Sequence, residues 1–136
     1  MKKIILVSSL IILTVIGIAY TTFYKEIEFV KLKSDRENVI ELIKRSEIAV
    51  HPNGRIVLPT TMSHISDSGE CFLIRFGNET AIYFYSYRGL IDSSKGYVYT
   101  TDEILWSDYI NTEKYVPDID FYEIVRLEEN WYFCST

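Results

Sequence analysis

Apolar and polar positions follow three patterns along this 136-residue chain, and the first is a continuous apolar run. Lys2 and Lys3 precede 21 residues without a charged side chain, from Ile4 to Tyr24. A helix of that length rises about 1.5 Å per residue and crosses a hydrocarbon layer of about 30 Å. We therefore interpret residues 1–24 as a membrane anchor that contacts lipid through residues 4–24.

A cleaved signal peptide is the alternative interpretation of the same segment. Gly17, Ile18 and Ala19 resemble the small-x-small pattern that precedes a cleavage site, and cleavage would give a secreted protein. The run continues past Ala19 into aromatic residues of the kind found at membrane interfaces, which favours an uncleaved, single-pass anchor. Its position at the extreme N-terminus favours a head outside the cytoplasm.

The second pattern is an amphipathic helix over residues 25–49. Val39, Ile40 and Ile43 recur at helical spacing among charged residues. Ser34 and Glu37 fit the spacing of a capping box, so either a new helix starts at Ser34 or one helix continues from the anchor.

The third pattern, over residues 50–136, alternates with period two after a turn at Pro52-Asn53-Gly54. It predicts a short strand at 55–58, and the segment from Thr60 to Glu70 has no period and indicates a loop or one helical turn. Five further apolar runs read as strands, with hairpin turns at 77–79 and 128–130: residues 71–76, 80–87, 96–101, 120–127 and 131–135. The sequence thus predicts an α+β fold in which an antiparallel β-meander of about five strands packs on the amphipathic helix.

Tyrosines are concentrated in two of these strands. Alternation places Tyr83 and Tyr85 on one face of their strand and Ile82 and Phe84 on the other. We expect Ile82, Phe84 and Val98 to face the helix, and the tyrosines to share the opposite face. That face either only covers the sheet or binds a ligand or partner, and its candidate binding residues are Tyr83, Tyr85, Tyr87, Arg88, Tyr97 and Tyr99.

The charge balance narrows the choice of partner. From Val50 onward the chain has six Lys and Arg and thirteen Asp and Glu, a net charge of −7. Such a head repels phosphate backbones and anionic lipid, so we do not expect it to bind nucleic acid. Acidic residues gathered in one segment are expected to form a solvated loop: Asp102, Glu103, Asp108, Glu113, Asp118 and Asp120.

Cys71 and Cys134 each lie within an apolar strand-like run. Outside the cytoplasm they could form a disulfide across neighbouring strands, and inside it they would be buried thiols.

Catalytic and metal-binding patterns are weak. Cys71 with His51 or His64 could form a nucleophilic pair, but a cysteine within an apolar strand is more typical of a buried thiol. His64, Asp67 and Glu70 are spaced three apart, although nothing in the sequence supplies a fourth metal ligand. We therefore predict no metal and no cofactor, and an enzyme that uses Cys71 or His64 is the weakest functional hypothesis.

The layout of an apolar N-terminal helix, an amphipathic continuation and an antiparallel sheet resembles that of type IV pilins and pseudopilins. No Gly-Phe processing site follows the lysines and no glutamate stands near the start of the apolar run, so the resemblance implies no residue role. The lysine-led N-terminus is bacterial in style. The main hypothesis is a bacterial cell-envelope protein that binds another protein or an envelope ligand, and the alternative is a self-assembling structural subunit, a homo-oligomer.

Overall fold

The computed structural model describes residues 2–76, 78–89, 93–101 and 123–136. Within these residues the elements are one α-helix, six strands and two 3-10 turns. In chain order they are α1 (Lys2–Lys44), β1 (Arg55–Val57), the turns Thr60–Ile65 and Asp67–Gly69, β2 (Glu70–Phe76), β3 (Glu79–Arg88), β4 (Ser94–Thr100), β5 (Glu123–Glu128) and β6 (Trp131–Ser135). The predicted α+β class and antiparallel sheet are confirmed, whereas the acidic segment at 102–120 and the predicted start of the fifth strand lie outside the described residues.

Helix α1 runs through Ser34 without a break, so no helix starts afresh there. It ends at Lys44, earlier than the sequence predicted, because the chain turns in a left-handed cap. Ser46 has φ 59°, its N–H donates to the Ile43 carbonyl at 3.0 Å, and the N–H of Glu47 donates to the Leu42 carbonyl at 2.9 Å. This pair of bonds satisfies carbonyls at the helix end that would otherwise lack donors.

The chain forms two compact units, Met1–Lys31 and Leu32–Thr136. In the first unit the described side chains include large apolar groups that are more than half exposed: Ile11, Ile12, Leu13, Val15, Ile16, Ile18, Tyr20, Phe23, Ile27 and Val30. Within the described part of the chain, no helix is long and apolar enough to span a membrane.

The second unit is built on a six-stranded antiparallel sheet with the order β1-β2-β3-β4-β6-β5. The first four strands form the predicted meander, but β4 pairs with β6 rather than β5. All five residues of β6 are buried, whereas β5 carries Glu123, Arg126 and Glu128 and is partly exposed. Placing the charged strand at the edge leaves the apolar strand with a neighbour on each side, which buries its side chains and pairs its backbone.

The C-terminal part of α1 covers one face of the sheet. Arg36 is fully buried, with its guanidinium carbon 4.0 Å from the centre of the Tyr97 ring and 6.0 Å from that of Phe84. Its Nε donates to the Ile65 carbonyl at 3.4 Å, which ties the first 3-10 turn to the helix. Val39 and Ile40 are buried on the same part of the helix. We refer to this side of the sheet as the helix face.

The opposite side, which we call the outer face, has an apolar cluster of its own. Its buried members are Ile74, Ala81, Tyr83, Val98, Tyr132 and Cys134. Both faces of the central strands are therefore buried.

Candidate functional site

The sheet register divides the predicted tyrosine surface between the two faces. Tyr83 pairs with Val98 and Phe84 pairs with Tyr97, so directly opposed residues share a face. Tyr97 and Tyr99 consequently lie on the helix face, and Val98 lies on the outer face with Tyr83. The prediction that the tyrosines share one face was wrong, and so was the prediction that Val98 faces the helix. The sequence does not give the register between β3 and β4, and a shift of one residue in that register exchanges the two faces of a whole strand.

Burial separates these tyrosines further. Tyr83 and Tyr97 are fully buried, Tyr85 and Tyr99 are half-buried, and the side chain of Tyr87 is 54% exposed. The Tyr83 hydroxyl lies 3.1 Å from Ser94 Oγ, and burial raises the pKa of this phenol. Two of the six candidate residues thus belong to the core in this conformation.

A bulge in β3 moves Arg88 onto the outer face. Tyr85 pairs with Gly96 and Tyr87 pairs with Lys95, so Ser86 is an extra residue in the ladder. Simple alternation put Tyr85 and Arg88 on opposite faces of the strand. The bulge reverses that parity, and the Arg88 guanidinium carbon lies 5.2 Å from the centre of the Tyr85 ring.

Arg88 belongs to a set of four side chains at this end of the outer face, Arg55, Glu70, Tyr85 and Arg88, which we call the Glu70 cluster. Arg55 donates from Nη2 to one Glu70 carboxylate oxygen, and Arg88 donates from Nη1 to the other at 3.2 Å. The Glu70 side chain is 17% exposed, while those of Arg55 and Arg88 are 48% and 50% exposed. One carboxylate thus fixes two guanidinium groups whose outer edges remain accessible to solvent.

The second 3-10 turn holds the end of β3 in place. Ser66 is buried, accepts a hydrogen bond from the Tyr85 N–H at 2.8 Å, and donates to the Glu70 carbonyl. The Asp67 carboxylate accepts from the Arg88 N–H at 2.8 Å and from the Ser68 N–H at 2.9 Å. These side chains take the place of strand partners where β2 has not yet begun, so the backbone that carries Arg88 is fixed.

The surroundings of the cluster favour the ionised form of Glu70 and the neutral form of Tyr85. The hydrogen bond from Arg55 lowers the pKa of the Glu70 carboxyl, and Arg88 adds to the effect. Burial raises the pKa of the Tyr85 phenol, and the nearby positive charge of Arg88 partly opposes that shift. Glu70 is therefore ionised near neutral pH and can hold both arginines.

Neither cysteine is placed for the roles considered from the sequence. Both thiols are free and buried. Cys71 pairs with Phe84 on the helix face, whereas Cys134 belongs to the outer-face cluster, and β3 and β4 lie between their strands. The suggested Cys71–Cys134 disulfide is thus not formed, because bridged cysteines need Cα atoms within about 7 Å. Burial raises the pKa of Cys71 to about 12, so at neutral pH it is a thiol rather than a nucleophilic thiolate.

The spacing of His64, Asp67 and Glu70 does not bring them to one site. His64 Nε2 lies 3.5 Å from the Asp35 carboxylate, while Asp67 and Glu70 have the partners given above. Among the residues described here, no group of three or more His, Cys, Asp or Glu side chains could hold a metal ion.

Sequence reasoning missed Arg55, Ser66 and Asp67 as neighbours of the β3 end. The sequence predicted a β1 strand but gave no register for it, and only the pairing of Arg55 with Phe72 brings its side chain beside Glu70. Serine and aspartate in an unpatterned segment are common in turns, which is the one signal that could have drawn attention to Ser66 and Asp67.

Comparison of the chain with protein-family models, curated proteins and solved structures finds no match.

Proposed function

We propose that this chain is a bacterial, membrane-anchored interaction protein whose head lies outside the cytoplasm and binds another protein or an envelope ligand through the Glu70 cluster. The observation that carries the proposal is the half-exposed Arg88 guanidinium, stacked on Tyr85 and held by Glu70. An arginine fixed in this way loses little side-chain entropy when it forms further hydrogen bonds with a partner.

The anchor is supported by the first unit. The uncharged run from Ile4 to Tyr24 contains apolar side chains that are exposed around the helix, for example Ile11, Ile12 and Leu13 at 57%, 59% and 66%. A helix that is apolar all round needs an apolar environment, and a lipid bilayer supplies one.

Extraction of the full-length chain tests the anchor. The wild type should stay with the membrane fraction after washing at alkaline pH, and Ile12→Lys/Ile16→Lys should be released because two charges in the run oppose insertion. The matched control is Ile27→Lys, which lies beyond the run and should remain membrane-bound. A wild-type chain that is washed off, or that is shortened at its N-terminus, would exclude the anchor.

Site-specific photo-crosslinking tests the binding surface. Val57 is 49% exposed and pairs with Glu70, so a photoreactive residue at position 57 lies beside the cluster. In cells that express the full chain we expect a discrete adduct that is lost in the Arg88→Gln variant and retained in Arg45→Gln, where an exposed arginine outside the cluster is changed. An adduct of equal yield in both variants, or a purified Arg88→Gln chain that is unfolded, would remove the support for this surface.

A further inference from the structure

Helix α1 carries an apolar stripe that continues beyond the uncharged run. Its members recur at alternating spacings of three and four residues, which are the a and d positions of a heptad. In order they are Leu13, Ile16, Tyr20, Phe23, Ile27 and Val30, and their exposed fractions are 66%, 58%, 66%, 56%, 55% and 75%.

The last two positions distinguish this stripe from the rest of the apolar surface. Between Ile4 and Tyr24 a lipid environment accounts for apolar side chains on every side of the helix. Ile27 and Val30 instead stand among Lys25, Glu26, Glu28 and Lys31, where the charged side chains require water or headgroups. Two largely exposed aliphatic side chains in such a segment call for a protein surface that covers them.

The flanking charges identify that surface as a second copy of this chain. With Tyr20 and Ile27 at a positions, Glu26 is a g position and Lys31 is the e position of the following heptad. In a parallel coiled coil the g residue of one helix faces this e residue of its partner, so Glu26 would lie opposite Lys31 of the other copy, and two-fold symmetry would form the pair twice. Parallel order is also the one that two copies adopt when they enter a membrane in the same direction.

We infer that this chain self-associates as a parallel dimer through the stripe from Leu13 to Val30, with Glu26 and Lys31 setting the alignment. The inference is independent of the Glu70 cluster, because every residue in it belongs to the first unit. In this arrangement the stripe contacts the helix of the second copy, and the remaining apolar surface of the uncharged run contacts lipid.

Disulfide cross-linking of the full-length chain in its native membranes tests whether two copies contact each other through the stripe. Val30→Cys places a thiol at a d position, and the matched control Lys25→Cys places one at an f position, on the side of the helix that faces away from the stripe. On mild oxidation we expect Val30→Cys to give a covalent dimer on a non-reducing gel and Lys25→Cys to remain at the wild-type background. Equal dimer yields at the two positions would overturn the inference.

Charge reversal in the Val30→Cys background tests the alignment. Glu26→Lys and Lys31→Glu each replace two attractions with two repulsions and should lower the dimer yield about threefold to tenfold. The double variant Glu26→Lys/Lys31→Glu restores opposite charges and should recover the original yield. Single reversals without effect, or a double variant no better than the singles, would overturn the proposed pairing.

Discussion

Gly96 is the residue over which the Tyr83 ring lies on the outer face. A Cβ at this position would approach the Tyr83 ring to 2.7 Å and would collide with the Phe84 carbonyl oxygen. The ring can move only by disturbing the buried cluster around it, and the carbonyl belongs to the β3 backbone. The position therefore requires glycine because of the close approach.

We expect Gly96→Ala to lower the free energy of unfolding by about 1–3 kcal/mol through overpacking. Urea unfolding of the full chain, followed by tryptophan fluorescence, measures the change. Gly17→Ala is the control, since a Cβ there meets nothing within 4 Å and alanine favours a helix. A Gly96→Ala midpoint that matches the wild type would show that β4 can move away from the ring.

Glu70 makes the folding stability depend on pH in the acidic range. Its pKa is lowered in the folded state, first by the hydrogen bond from Arg55, relative to an ordinary value of 4.5. A carboxyl of this kind contributes stability that is present above the unfolded-state pKa and is lost as the pH falls through the folded-state pKa. The contribution should thus disappear as the pH is lowered below about 4.5.

The variant Glu70→Gln should lose less stability than the wild type over that acidic range, and it should be less stable than the wild type at neutral pH. Urea midpoints between pH 7 and pH 3 measure both effects. Glu47→Gln, an exposed carboxylate beyond the end of α1, should follow the wild-type curve. If Glu70→Gln also follows it, the two arginines do not stabilise the folded state through this carboxylate.

At the scale of elements, the alternating pattern in the sequence predicted where strands occur but not which residues face each other. The runs at 71–76, 80–87 and 131–135 correspond closely to β2, β3 and β6. Both faces of β3 and β4 are buried, so apolar and aromatic residues occupy successive positions and the pattern does not identify the helix face. Register depends on cross-strand pairing, which a single strand's sequence does not contain.

The candidate site depended on the same missing information. Tyr85 and Arg88 were identified from the sequence as candidate binding residues. The bulge at Ser86 brings them onto one face, and no residue pattern in the sequence predicts that bulge. Arg55 and Glu70 lie 15 residues apart and meet only through the pairing of β1 with β2. The residue types therefore predicted Tyr85 and Arg88 as members of the Glu70 cluster. Arg55 and Glu70 could be added only once the pairing of distant strands was known.

The contact between α1 and the sheet depends on Arg36. A lysine at this position would keep the charge but lose the planar group that stacks on Tyr97 and the Nε–H that bonds to the Ile65 carbonyl. We expect Arg36→Lys to lower the free energy of unfolding by about 2 kcal/mol. Arg45→Lys, where the arginine is exposed, should change the urea midpoint very little, and equal midpoints for the two variants would show that the stack contributes nothing.

At the scale of the whole molecule, the turn before β1 protects the start of this edge of the sheet. The Arg55 carbonyl accepts from the His51 N–H at 2.9 Å, and the Arg55 N–H donates to Asn53 Oδ1 at 3.1 Å. The backbone N–H and carbonyl of Arg55, which could otherwise pair with a partner strand, are thus already bonded within the turn. A partner at this end of the sheet would engage side chains such as Arg88, in agreement with the proposed surface.

The proposed membrane orientation decides where such a partner should be sought. Lysines stand on both sides of the apolar run, Lys2 and Lys3 before it and Lys25 and Lys31 after it, so a count of positive charge does not fix the direction. The proposed function places the head outside the cytoplasm, and that orientation can be tested directly.

A protease added to intact cells should therefore remove an epitope tag placed after Thr136 of the full-length chain, while a cytoplasmic marker protein stays whole. A tag avoids dependence on cleavage within the folded sheet, whose buried strands resist proteases. Protection of the tag in intact cells, with cleavage only after permeabilisation, would place the head in the cytoplasm. The Val57 adduct would then be sought among cytoplasmic proteins, and the Glu70 cluster would keep its proposed role with a different set of partners.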